Sequence, residues 1–184
     1  MIIAVDGNSA SGKTTFANKM AKETGATVIH MDDFFLQLHQ RTNERFSEIG
    51  GNVDYERFEK EIINPLIEGK PTLNYHRFDC KTGKFAKELV VISNTGKNDI
   101  IIEGVYCMRS KKWREVYDKM IFMEINKDEQ LKRLKARNPD LLNKFVNEWL
   151  PMEKKYFEAL FTDLQANNLK ELERRGKFEK HRNN

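Results

Sequence analysis

Residues Gly7, Asn8, Ser9, Ala10, Ser11, Gly12, Lys13 and Thr14 follow the spacing G-x-x-x-x-G-K-[ST]. Between a strand and a helix this spacing makes a phosphate cradle. Its small residues let backbone N–H groups wrap the phosphates, and the helix N-terminus adds partial positive charge. Lys13 reaches the β- and γ-phosphates, Thr14 is placed to ligate Mg²⁺, and Thr15 can bond a further phosphate. The motif predicts binding of a nucleoside triphosphate with its metal, and leaves open where the phosphate goes.

The carboxylates narrow that choice. Asp32-Asp33-Phe34-Phe35 follows the second expected strand, where an acid lies beside the phosphate loop in a doubly wound sheet. Such an acid can take the proton of an attacking hydroxyl and approach Mg²⁺ through water. Adjacent aspartates rarely face the same way, so one is the base and the other a spectator or a cap; the residue types do not rank them. Glu103 closes the run Ile100-Ile101-Ile102 and stands where an acid meets the metal's water shell. Lys132, Arg133, Lys135 and Arg137 form a basic helix that either closes over the triphosphate or is a solvated face. Asn126-Lys127-Asp128-Glu129 misses the N-K-x-D of GTP switches by its last residue and reads as a helix start. These features favour transfer to a small hydroxyl-bearing acceptor over a switch or a nucleic-acid motor.

Elements able to position these residues follow from periodicity. Short apolar runs predict strands at 1–5, 27–31, 99–103 and 120–125. Helices are expected at 13–22, stopped by Gly25, and at 54–64, capped by Asp54 and ended or kinked at Pro65. Residues 72–92 read as a hairpin around Lys81-Thr82-Gly83-Lys84. Leu141 to Leu164 marks a long amphipathic helix bent at Pro151, on which Trp149 and Tyr156 belong to the core. Strands alternating with helices predict an α/β fold: a doubly wound, mainly parallel sheet flanked by helices, with an inserted β-hairpin (about 72–92) and a helical lid (about 127–140). Residues 1–173 form one domain in this reading, and 174–184 a basic, frayed tail.

Composition sets outer limits. The 184 residues carry 32 basic and 28 acidic side chains, a net charge of +4 that suits an anionic ligand and falls short of a nucleic-acid-coating protein. Cys80 and Cys107 form no C-x-x-C pair and read as reduced thiols. Apolar runs are too short for a membrane span. The expectation is a cytoplasmic protein without nucleic-acid or membrane partners, with homo-oligomerisation left open.

Taken in order, G-N-S-A-S-G-K-T-T, M-D-D-F-F, D-Y-E-R-F, N-P-L-I-E-G-K, Y-H-R-F-D, I-I-I-E-G-V and R-L-K-A-R resemble the uridine kinase family, within the phosphoribulokinase and pantothenate kinase group of P-loop kinases. The resemblance spans about residues 1–156. It implies ATP and Mg²⁺ as cofactors, Asp32 as the base, and Asp33 on the family's small hydroxyl position. Phe35 then stands beside the acceptor, Tyr75 and Phe78 hold its base, and Arg133 and Arg137 are lid arginines; His76 either contacts the acceptor or packs. The implied acceptor is a pyrimidine nucleoside. Pantothenate-, ribosylnicotinamide- or sugar-phosphate-type alcohols, and a non-catalytic ATP-binding regulator, are the alternatives. The chain departs from the family at Gly50-Gly51-Asn52-Val53, where the family has an aspartate that grips ribose, and at Leu134 and Asn138 in the lid. It departs again after Leu164, where a final strand is replaced by polar sequence.

Overall fold

Five short runs of residues lie side by side in the computed structural model, which describes residues 1–80 and 82–183. They are β1 (Ile2–Gly7), β2 (Thr27–His30), β5 (Ile100–Glu103), β6 (Lys119–Ile125) and β7 (Phe178–Asn183), in the order β2-β5-β1-β6-β7 and parallel throughout. A parallel sheet must be covered on both faces, and the alternation of side chains shows how. Ile3, Val5, Ile101, Ile121 and Met123 pack against Ala17 of α1 (Lys13–Thr24). Ala4, Ile29, Ile102, Met120 and Phe122 belong to the larger cluster on the other face, with Phe58, Ile62, Trp113, Tyr156 and Leu160. The strand order reverses at β1, so the loop leaving β1 opens at the switch point where ligands of such sheets gather.

The remaining helices are α2 (Asn43–Ser47), α3 (Tyr55–Phe58), α4 (Asn64–Ile67), α5 (Lys111–Val116), α6 (Lys127–Arg137), α7 (Leu142–Lys144), α8 (Leu150–Ala166) and α9 (Leu169–Arg174). A separate antiparallel hairpin, β3 (Thr72–Asp79) with β4 (Lys84–Ser93), is inserted between α4 and β5. The Lys81 position of its turn lies outside the described residues, as does Asn184 at the chain end. No described helix is long and apolar enough to cross a membrane.

Two expectations are revised. Of the end or kink expected at Pro65, the helix does not end: a π turn, Glu59–Ile63, lies between α3 and α4, and Pro65 sits in the first turn after it. Pro151 likewise follows a π turn, Phe145–Trp149. In both places the altered ladder accommodates a residue with no N–H to give. The second correction concerns 174–184, read as a frayed tail. Residues 178–183 instead form β7, in register with β6 from Met120↔Phe178 to Ile125↔Asn183. Phe178 is buried, while Lys180 and Arg182 both pair with Glu124 of β6. One apolar anchor among charges is how an edge strand avoids further pairing, and it hides the strand from a search for apolar runs.

Candidate functional site

The phosphate loop leaves β1 through Gly7 at φ 136°, where a Cβ would stand 2.1 Å from the Met123 carbonyl oxygen of β6. Only glycine passes there. Ala10 at φ 62° and Gly12 at φ 93° then turn the chain into α1. Lys13 is buried, and its Nζ donates to the carbonyls of Gly7 (2.9 Å) and Asn8 (2.8 Å), which places its charge across the mouth of the loop. Thr14 and Thr15 stand exposed on the first turn of α1.

At the neighbouring strand end, Glu103 is buried and its Oε1 accepts from Thr14 Oγ1 at 3.1 Å. Gly104 follows at φ 134°, and a Cβ there would meet Met31 Cβ at 2.6 Å; this tight packing brings the β5 end against the segment that carries Asp32. A hydroxyl and a carboxylate sharing one point are a hard-oxygen donor pair of the kind Mg²⁺ accepts while keeping its waters. The residues present therefore fit a bound Mg-triphosphate. His30, at the end of β2, was not among the expected site residues. Its Nδ1 lies 2.5 Å from the same Glu103 oxygen, and that bond raises the imidazole pKa above its ordinary value. The signal available in the sequence was its position at the strand end, two residues before Asp32.

The structure separates the two aspartates, both on the 3₁₀ turn Met31–Phe34. Asp32 is exposed as a residue, although protein crowds its carboxyl group. Burial raises its pKa, the Glu103 charge raises it further, and Lys13, His30 and Arg137 oppose them. Asp32 thus shares its field with the phosphate loop. Asp33 faces the hairpin: Tyr75 donates to its Oδ2 at 3.3 Å and Arg77 Nε lies 3.7 Å away. Burial is the largest influence on its carboxyl and is an upward one.

Tyr75 is buried, its ring 5.1 Å from that of Phe34, and Phe78 packs edge-on to Phe85. Phe35 is half-buried and bridges Val53. His76 Nδ1 lies 3.0 Å from the Ala86 carbonyl and 3.2 Å from that of Glu88, so its ring is tied within the hairpin. The register slips between His76 and Phe78, and this bulge turns Arg77 toward Asp33. Arg77 was also missed; the apolar-polar alternation broken by Y-H-R-F was its trace. The Gly50–Val53 loop, where an aspartate was expected, leads directly into Asp54. That carboxylate is buried, caps Arg57 N and accepts from Gln40 Nε2 at 2.8 Å. The acid one residue beyond the loop is thus committed as a helix cap.

From α6, Arg133 Nε donates to Glu129 and its NH1 to the Ala10 carbonyl at 3.3 Å. Arg137 is exposed and acts on Asp32 through its charge. One buried acid on α8, Glu153, takes two bonds from Ser9.

Comparison with known proteins finds kinases among the relatives of this chain. The Shikimate kinase family model matches residues 9–73. A uridine kinase of Ureaplasma parvum is 29% identical over 161 residues, covering 81% of this chain and 76% of the relative. A uridine kinase of Staphylococcus haemolyticus is 26% identical, covering 85% and 81%. Among solved structures, one described as a possible uridine kinase from Bacillus stearothermophilus superposes with a TM-score of 0.64 at 23% identity, covering 86% of this chain and 81% of that one. A D-glycerate 3-kinase from Cryptococcus neoformans gives 0.56 at 12% identity, covering 87% and 80%. These two structural likenesses concern the fold.

Proposed function

On the premise that this chain is a P-loop kinase related to the uridine kinases, we propose that it moves the γ-phosphate of ATP onto a hydroxyl of a pyrimidine nucleoside. The observation that carries the reading is the position of Asp32, an exposed residue two beyond the end of β2, in the field of Glu103, Lys13 and Arg137. Mg-ATP, when bound, supplies the phosphoryl group and a cation that neutralises its charge.

The chain's own residues then divide the work. Backbone N–H groups of the first turn of α1, residues 12–15, and Lys13 Nζ would hold phosphate oxygens. Thr14 Oγ1 and Glu103 Oε1, which share one hydrogen bond, would hold the metal, and Asp32 would reach its water shell. Asp32 accepts the proton of the acceptor hydroxyl, while Arg133 and Arg137 shield charge from the lid formed by α6. Asp33, Phe35, Tyr75 and Phe78 line the acceptor side, with Tyr75 held in place through its bond to Asp33. His76, bonded to two carbonyls of β4, supports the hairpin and leaves the acceptor to its neighbours.

A second reading, an acceptor that carries a phosphate or another anionic group, is favoured by Arg77. Its guanidinium is 59% exposed and bulged toward Asp33, which suits charge-assisted recognition. Steady-state ADP release with uridine, cytidine and a sugar phosphate separates the two readings. Turnover on a nucleoside supports the first, and turnover on the phosphorylated acceptor alone replaces it with the second.

A further inference from the structure

We propose that Glu153 is a positioning residue for the phosphate loop: from the inner face of α8 it holds Ser9, and thereby the left-handed bend at Ala10 on which the loop turns. The inference rests on the kinase reading only in treating residues 7–15 as the donor's phosphate cradle.

Glu153 is 4% exposed, and both of its oxygens are committed to one residue. Oε2 accepts from the Ser9 backbone N–H at 3.1 Å and Oε1 from the Ser9 hydroxyl. A buried carboxylate is tolerated when its lone pairs are met in this way and a cation lies near, here Lys13. Three residues along the same helix face, Tyr156 donates to Asp6 Oδ2 at 2.5 Å, and Asp6 also accepts from Gly7 N and Met108 N. One face of α8 therefore grips the chain on both sides of Gly7.

The opposite side of the bend is held from α6. Gln130, itself buried, donates to the Ser9 carbonyl at 3.0 Å, and Arg133 to that of Ala10. Four side-chain bonds thus converge on two consecutive residues. The second of them, an alanine at φ 62°, adopts a conformation that a Cβ disfavours and that persists only when its surroundings impose it. Glu153 supports the loop from its enclosed side: on α8 it is buried, whereas Thr14, Thr15 and Asp32 are exposed.

Calorimetric titration of the full chain with Mg-ADP and with Mg-ATP tests the proposal on the wild type, E153Q, E153A, S9A and the S9A/E153Q double variant. E153Q keeps the shape and loses the charge, and is expected to weaken both nucleotides about tenfold, the scale of hydrogen bonds to a charged group. S9A is expected to weaken them less. The double variant falls short of the product of the two single effects, because both remove the same contact. In turnover, KM for ATP rises and KM for the acceptor stays, while thermal melts of E153Q and S9A remain close to wild type. Should E153A not fold, E153Q and S9A decide. Wild-type affinity in E153Q overturns the inference, and so does tighter binding, which would make Glu153 a plug. Nucleotide binding without turnover defeats the phosphotransfer reading alone, and a wild-type chain that binds neither nucleotide defeats both.

Discussion

Around the phosphate loop, Asp6, Lys13, Glu103, Gln130 and Glu153 are each at most 7% exposed and bonded to one another's segments. Across the cleft, Tyr75, Phe34 and Phe78 make an equally buried wall, but the charged group in front of it, Arg77, is 59% exposed on a bulged strand. In the proposed reaction the difference follows from what each half has to read. A triphosphate offers the same oxygens every time, so its cradle can be rigid and enclosed. An acceptor is discriminated by a few side chains over a common aromatic wall, and these can change without disturbing the sheet.

Breaking the donor half at its proposed base should have the largest effect. Asp32→Asn is expected to lower kcat on a productive acceptor by on the order of 10²–10⁴-fold while calorimetry shows Mg-ADP affinity close to wild type; near-normal turnover removes Asp32 from the mechanism. Lys13→Ala should lower kcat by on the order of 10²–10³-fold and weaken Mg-ATP as well. Unchanged nucleotide affinity in that variant contradicts the clamp role.

The fold itself is probed at the sheet edge. Phe178 is 1% exposed and meets the Phe161 ring at 6.3 Å. Truncation to alanine should destabilise the chain by about 3–5 kcal/mol in urea unfolding, whereas a frayed tail would register almost nothing.

The pH profile is a gentler probe. Burial, then Glu103, raises the Asp32 carboxyl above its usual 3.8, and a base works only when deprotonated. Activity is therefore lost as pH falls through that raised value, and the acid limb of kcat/KM should lie above 3.8 and vanish in Asp32→Asn. The smallest effect is expected from Arg77→Gln: a several-fold rise in KM for the acceptor, with KM for ATP unmoved. A rise confined to ATP would place Arg77 on the donor side and blur the comparison drawn above.

The same contrast decided what could be read before the structure. Gly7 to Thr14 announces its chemistry because backbone conformation demands those residue types at those positions, and Glu103 and Asp32 could be placed at or just beyond strand ends because strand ends are predictable. β7 escaped because an edge strand with a single buried residue, Phe178, lacks the apolar run that marks a central one. Glu153 and Gln130 escaped for a different reason. Their contacts to Ser9 cross 144 and 121 positions of sequence, and nothing local in a helix tells which acid faces inward to a loop. Arg77 depended on a bulge that one-residue alternation does not reveal.

The central claim is phosphate transfer from ATP to a nucleoside hydroxyl, and ADP release from Mg-ATP on uridine and cytidine, with the Asp32→Asn chain alongside, tests it most directly. The account predicts nucleoside-dependent release that the substitution abolishes. Release that is absent with both nucleosides, or that survives in Asp32→Asn, contradicts it.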